Sequence, residues 1–287
     1  MTIRTPPAWG LEELNHAVRS IGSSRPEEYW SHAQREGDVP AVGRLRFADL
    51  KESIAMGWED FGAYRTDVVF LCVIYPLVGL ILARLAFGYE MVPLLFPLAS
   101  GFALVGPFAG VGLNEMSRRR EEGMESRWYN TFAVIGSPAI GKILLLGAIL
   151  VGIFLFWMIV AQLLYIVTLG PHPPVSISQF AHDVLHTSAG WTMIVVGIGL
   201  GFLFAVLVLA ISVVSFPMLL DRNVPLDVAV RTSMRVATAN PGIMAAWGVI
   251  IAAALVVGSI PLLVGLVVVM PVLGHATWHL YRHAVGP

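Results

Sequence analysis

Six long runs of apolar residues constrain this chain more than any other feature of its sequence. They cover residues 68–87, 92–113, 143–167, 191–218, 244–260 and 262–281. A helix needs about 20 apolar residues to cross the hydrocarbon core of a bilayer, which is about 30 Å thick. The composition agrees, because 56% of the residues are apolar and only 13% are charged, against about 25% charged in soluble domains. We therefore predict an all-α protein built as a six-helix transmembrane bundle.

The last two runs are separated by only a few residues. Ser259, Ile260 and Pro261 stand between the fifth run and the sixth. Because proline is well tolerated in the first turn of a helix, we predict that these residues form the turn of a tight helical hairpin. The sixth helix is then expected to begin at Leu262.

The distribution of positive charge orients the predicted bundle. All 18 Lys and Arg residues except Arg84 fall before the first run, between the second and third, between the fourth and fifth, or after the sixth. Cytoplasmic loops of membrane proteins carry the excess of Lys and Arg. We therefore predict a multi-pass protein of a bacterial inner membrane with both termini in the cytoplasm. The long side chain of Arg84 is expected to reach the outer headgroups.

The chain divides into a polar first part and a membrane part. We place a cytoplasmic N-terminal region, partly disordered, at residues 1–46 and the six-span membrane domain at residues 47–287. Each pair of spans follows a segment that can form an amphipathic interfacial helix, and the aromatic and basic side chains of such helices bind headgroups or a partner. The residues predicted to make these contacts are Trp58, Arg118, Arg119, Arg120, Arg231 and Arg235.

Helical periodicity assigns an apolar face to two of these segments. In the first, apolar residues recur at helical spacing and acidic residues lie on the other sides. The apolar residues are Leu50, Ile54, Trp58 and Phe61, and the acidic ones are Asp49, Glu52, Glu59 and Asp60. Asn240 precedes a proline and is predicted to end the helix of the third segment, because the residue before proline disfavours helical geometry. The apolar face of that third segment is predicted to consist of Leu226, Val230, Met234 and Ala237.

Histidine pairs are the candidates for site chemistry. His275 and His279 lie one helical turn apart near the cytoplasmic end of the sixth run, close enough for both imidazoles to bind one metal ion. Haem or copper ligation is one interpretation, and neutral histidines hydrogen-bonded to a neighbouring helix are the other. No other cofactor is expected. A second pair, His182 and His186 beside Asp183, can either bind a divalent metal weakly or be solvated.

Four stretches of the sequence resemble a known family. They are GWEDF at residues 57–61, CVIYPLVGL at 72–80, SFPMLLDR at 215–222 and PVLGHATWHLYR at 271–282. On these motifs the chain resembles, from about residue 50 to residue 285, the bacterial integral membrane proteins catalogued as domain of unknown function 2189. The resemblance implies a membrane protein and no activity, although some members carry a cytochrome c oxidase label. The last motif contains both His275 and His279.

The remaining sequence features favour a protein without catalysis. No phosphate-binding Gly-rich loop, nucleophilic Ser motif or HExxH motif is present, and no Asp, Glu, Lys or Arg lies near the middle of a run. Basic residues form no nucleic-acid-binding patch. We predict no catalytic residue. The leading hypothesis is a non-enzymatic scaffold or accessory factor near the respiratory machinery, with the bilayer and a membrane protein as partners.

Two alternatives come from different classes of function. A transporter of a small or lipophilic solute would use the polar side chains inside the runs, namely Gln162, Ser212 and Ser215. A haem- or copper-handling protein would use His275 and His279. The oligomeric state is left open.

Overall fold

The computed structural model describes residues 40–72, 77, 79–81, 84, 92–124, 133–222 and 224–286. Within these ranges the chain forms helices and no strand, which confirms the all-α prediction for this part of the protein. Most of the predicted N-terminal region and half of the first predicted run lie outside the described residues. The helices are α1 (Phe47–Cys72), α2 (Leu95–Ala109), α3 (Val111–Glu121), α4 (Ile140–Leu169), α5 (Ile177–His186), α6 (Ser188–Ser212), α7 (Ser215–Arg222), α8 (Leu226–Ala239), α9 (Pro241–Ser259) and α10 (Leu266–Val285).

Three helical stretches among these residues are long and apolar enough to cross a membrane. They are α4, the consecutive helices α6 and α7 over Ser188–Arg222, and α9. A fourth candidate is the pair formed by Val92–Gly101 and Gly106–Glu121, which is bent by 41°. These stretches overlap the second to fifth predicted runs. In the described part of the chain α10 is not among the candidates, so the count of six spans stays a prediction.

The bend between α2 and α3 has a local cause. Pro107 lies inside α2 and lacks the N–H of a normal helical residue. The chain then turns at Gly110, whose N–H still donates to the Gly106 carbonyl at 2.9 Å. Beside this bend α2 packs closely on α4, since a Cβ at Gly147 would lie 2.7 Å from the Phe108 ring. The absence of a side chain at Gly147 lets the two helices approach.

The turn between α9 and α10 is longer than predicted. It occupies residues 260–265, and Leu262 and Leu263 take the left-handed backbone conformation, with φ of 50° and 68°. The prediction that the last helix begins at Leu262 is therefore wrong, because these two residues reverse the chain and α10 begins at Leu266. The hairpin is tight, since a Cβ at Gly265 would lie 2.7 Å from the Gly258 carbonyl oxygen.

Helix α1 packs lengthwise and antiparallel against α10. The Gly43 N–H donates to the Ala284 carbonyl at 2.8 Å just before α1 begins. Further along, a Cβ at Gly57 would lie only 2.6 Å from the backbone nitrogen of Ala276. A kink at Tyr64 follows, where φ is −117° and ψ is 16°. The first part of α1 therefore belongs to the helical bundle, with its Gly57 face against α10.

Helix α8 ends where the sequence predicts but buries a different face. Its last helical residue is Ala239, and Asn240 follows as the C-cap. Met234 of the predicted apolar face is exposed, so that assignment is wrong. The buried positions include Thr232 and Ser233, which escape a hydrophobicity pattern because their hydroxyls bond to backbone atoms. The buried residues of α8 are Val228, Ala229, Thr232, Ser233 and Val236.

Candidate functional site, a buried polar cluster

A group of polar side chains, buried except for the partly exposed Arg120, lies where α1, α3 and α10 meet. We call it the Asp60 cluster; it consists of Asp60 from α1, Ser117 and Arg120 from α3, and His275 and His279 from α10. The close approach at Gly57 brings Asp60, almost one turn later, against α10. His275 and His279 share a face of α10 because they are four residues apart. Asp60 is 3% exposed and His275 is 0% exposed.

The Asp60 carboxylate is the centre of this cluster. Its Oδ2 accepts a hydrogen bond from the Ser117 hydroxyl at 2.5 Å and one from His279 Nε2 at 2.9 Å. Its Oδ1 forms an ion pair with Arg120. Ser117 also contacts Nδ1 of His275 at 2.7 Å. A single acidic side chain therefore joins three helices through three direct partners, and Ser117 extends the network to His275.

The hydrogen bonds keep Asp60 ionised. Burial by itself raises the pKa of this carboxyl, but the hydrogen bonds from His279 and Ser117 and the nearby imidazoles outweigh burial, and its pKa lies below the ordinary value. Because the Ser117 proton is given to Asp60, His275 must donate its Nδ1–H to the Ser117 oxygen. Nε2 of His275 then carries the lone pair, and this buried atom has no hydrogen-bond partner among the described residues.

A second network, the Glu121 cluster, ties α3 and α7 to the end of α10. Glu121 accepts from the Trp278 indole at 2.9 Å and from two nitrogens of Arg282, the shorter contact being 2.7 Å. Asp221 accepts from the Tyr281 hydroxyl at 2.5 Å and from Arg282 at 3.3 Å. Bidentate arginine–carboxylate pairs are among the stronger polar contacts in proteins. Helix α10 is therefore fixed on two sides at its C-terminal half.

The predicted contact residues do not share one environment. Arg118 is 2% exposed and pairs with Glu115 and Glu122, so it lies inside the protein and not on its surface. Arg119 also pairs with Glu115, and Arg120 pairs with Asp60. The exposed residues of the predicted set are Trp58, Arg120, Arg231 and Arg235.

Part of the chain is similar to a known protein family. The model of a family described as a predicted integral membrane protein, DUF2189, covers part of the chain. Residues 94–221 match DUF2189. The resemblance predicted from the sequence is thereby confirmed, and so is the assignment as an integral membrane protein. No curated protein and no solved structure matches the chain.

The DUF2189 match covers only part of the site. It contains Ser117, Arg120 and Glu121. Asp60 and both histidines of the Asp60 cluster lie outside the matched residues, as do the motifs at 57–61, 72–80 and 271–282. The structure thus joins the matched helices to α1 and α10 through buried polar contacts.

The two predicted histidine ligands are both engaged in the cluster. His279 directs Nε2 to Asp60, and His275 directs Nδ1 to Ser117. No set of three His, Cys, Asp or Glu residues in the described part of the chain is arranged to hold a metal ion. Metal, haem or copper binding by His275 and His279 stays a prediction.

The cluster also differs from a nucleophilic triad. In a triad the acid orients the histidine, which removes the proton of the serine. Here Asp60 accepts directly from Ser117, while its Oδ2 lies 3.9 Å from His275 Nδ1. Ser117 is buried as well. This arrangement is suited to holding helices together and to keeping protons in fixed positions.

Sequence reasoning missed the role of Asp60. Several acidic residues follow one another closely in α1, so Asp60 does not stand out among them. Its partners Ser117 and His279 are far away along the chain. The available signal was the combination of Gly57, which permits close helix packing, with an acid three residues later. A glycine and a single acid are too common on helices to identify such a contact.

Proposed function

We propose that this protein is a non-enzymatic scaffold or accessory factor of a bacterial inner membrane, with both termini in the cytoplasm. One observation carries the proposal: α1, α3, α7 and α10 are held at one end by the largely buried Asp60 cluster and the partly exposed Glu121 cluster, and an aromatic surface remains exposed beside them. A fixed surface of this kind is suited to binding a partner, since little ordering free energy is then lost on association.

The exposed surface is a stripe along α1. Phe47, Lys51, Ala55 and Trp58 recur at helical spacing and are all exposed. We call these four residues the α1 stripe. It lies on the side of the helix opposite Asp60, as expected from about 100° of rotation per residue. Trp58 is 57% exposed, and tryptophan is enriched among the residues that dominate binding free energies.

The position of the α1 stripe favours a protein partner over lipid. If the first span begins near residue 68, Trp58 lies about 6–15 Å below it, and the value depends on how far the kink at Tyr64 tilts the earlier part of α1. The headgroup layer on each side of a bilayer is only about 5–8 Å thick. The α1 stripe would then lie at the cytoplasmic edge of the headgroups or beyond it.

Polar groups inside the bundle favour the scaffold over the transporter. Ser212 and Ser215 are buried, and their hydroxyls donate to the carbonyls of Val208 and Ile211 at 2.6 Å. Hydroxyls that are satisfied within their own helix offer little to a passing solute.

Purification under gentle detergent tests the proposal with two matched tryptophans. Trp58 and Trp191 are 57% and 55% exposed and lie at opposite ends of the bundle. A stoichiometric partner should co-purify with the wild-type protein and with Trp191→Ala but not with Trp58→Ala. Equal recovery with both variants, or no stoichiometric partner at all, would contradict the proposal.

The orientation is tested by labelling introduced cysteines in a Cys72→Ser background. A membrane-impermeant thiol reagent added to intact cells should label Val175→Cys, in the loop before α5. It should label Lys51→Cys only after the membrane is permeabilised. The reverse pattern would place the α1 stripe outside the cell and exclude a cytoplasmic partner.

A further inference from the structure

The helix α5 is a fixed platform at the end of the bundle opposite the Asp60 cluster. It joins the candidate spans α4 and α6. The Ser176 side chain caps its first turn by accepting from the Gln179 N–H at 3.1 Å. At its other end the Thr187 hydroxyl donates to the Asp183 carbonyl at 2.5 Å and accepts from the Gly190 N–H at 2.9 Å. Side chains on the outer face of α5 are therefore held in defined positions relative to the two spans.

Two imidazoles lie side by side on that outer face. His182 and His186 are one helical turn apart, and their ring centroids are 4.8 Å apart with an angle of 16° between the ring planes. Both residues are exposed, the His182 side chain by 65%. The two rings are therefore stacked against each other on the exposed surface.

The surroundings favour Nε2 as the free nitrogen of both rings. Nδ1 of His186 lies 3.3 Å from the His182 carbonyl oxygen. Nδ1 of His182 lies 3.7 Å from the Asp183 carboxylate, which is itself held by Gln179 at 2.9 Å. Histidines that bind metals usually direct their other nitrogen to a carbonyl or carboxylate in this way. Among the described residues neither Nε2 has a hydrogen-bond partner.

We propose that His182 and His186 form a two-imidazole site for one divalent transition-metal ion of the Cu²⁺ and Zn²⁺ class. Metal–nitrogen bonds of about 2.0–2.1 Å place two ligating nitrogens about 3 Å apart. The exposed rings reach this separation by small rotations of side chains that are not packed. This proposal uses α5 alone and does not depend on the proposed scaffold function.

The ligand set determines which ions the site takes. Imidazole nitrogen suits Cu²⁺, Zn²⁺ and Ni²⁺, with Cu²⁺ bound most tightly, whereas Mg²⁺ and Ca²⁺ prefer oxygen. The described residues include no third His, Cys, Asp or Glu arranged to complete the sphere, so water occupies the remaining positions. An open site of this kind exchanges its ion readily.

Titration with Cu²⁺, followed by electron paramagnetic resonance, tests the site in tag-free full-length protein in detergent. The wild-type spectrum should show two bound nitrogens, and excess Zn²⁺ but not Mg²⁺ should displace the ion. His182→Ala and His186→Ala should each weaken Cu²⁺ binding by about tenfold or more, because only one imidazole is then left to hold the ion. Each should also leave one nitrogen in the spectrum.

The control is His172→Ala, which removes another exposed histidine of the same connection and should leave affinity and spectrum unchanged. The other histidines are common to all variants. The proposal is overturned if the double variant binds Cu²⁺ as tightly as the wild-type protein. It is equally overturned if the wild-type spectrum shows a single nitrogen or if His172→Ala causes the same loss.

Discussion

Replacing Asp60 by asparagine should destabilise the protein strongly, although the two side chains have almost the same shape. The carboxylate accepts from Ser117 and His279 and pairs with Arg120. An asparagine side chain has only one acceptor oxygen, so it can accept hydrogen bonds from only some of these three groups. Its NH2 group would point N–H donors at the others. Breaking a fully buried ion pair costs about 3–5 kcal/mol, and because the Arg120 side chain is 39% exposed we expect a loss of about 3 kcal/mol here.

Thermal unfolding in detergent, followed by tryptophan fluorescence, measures this loss. A change of this size should lower Tm by on the order of 10 °C in a chain of this length. Glu59→Gln is the matched control, because this neighbouring acid is exposed and surface substitutions usually change stability by less than about 0.5 kcal/mol. If Asp60→Asn unfolds at the same temperature as Glu59→Gln, the Asp60 cluster does not hold the helices together.

Three further predictions follow from the same contacts. The pKa of Asp60 is lowered in the folded protein, so its contribution to stability is present above the unfolded value of about 3.9 and is lost as the pH falls through the folded pKa. The Tm difference between wild-type protein and Asp60→Asn should therefore narrow as the pH falls below about 4. Gly57→Ala should destabilise because its Cβ would meet the α10 backbone at 2.6 Å, whereas Gly62→Ala, with no atom within 4 Å of the new Cβ, should stabilise α1 by about 0.5–1 kcal/mol; equal shifts in Tm would contradict the close packing. A double-mutant cycle of Glu121→Ala and Arg282→Ala should give a coupling free energy of about 0.5–3 kcal/mol, and additive losses would show that this pair does not act as a unit.

The sequence predicts the features of this fold that depend on local pattern. Apolar runs locate α4, α6 and α9, because lipid exposure demands apolar residues on nearly every side of a helix. The boundary between α8 and α9 at Asn240 follows from the backbone restriction imposed by Pro241. Each of these predictions needs only residues that are neighbours in the chain.

Features that depend on distant contacts could not be predicted in the same way. Asp60 is buried because α10 and α3 supply its partners, and no local pattern distinguishes it from the exposed Glu59 beside it. Arg118 looks like part of a surface basic run, yet Glu115 and Glu122 on the same helix neutralise it inside the protein. Leu262 has an apolar side chain suited to a span, but its backbone belongs to the turn.

Photocrosslinking from position 58 tests the central claim most directly. A photoreactive amino acid placed at Trp58 in the intact membrane should crosslink to one discrete cytoplasmic or membrane protein, while the same probe at Trp191 should not. Crosslinking from position 58 to lipid alone, or equal products from both positions, would contradict the claim that the α1 stripe binds a protein partner.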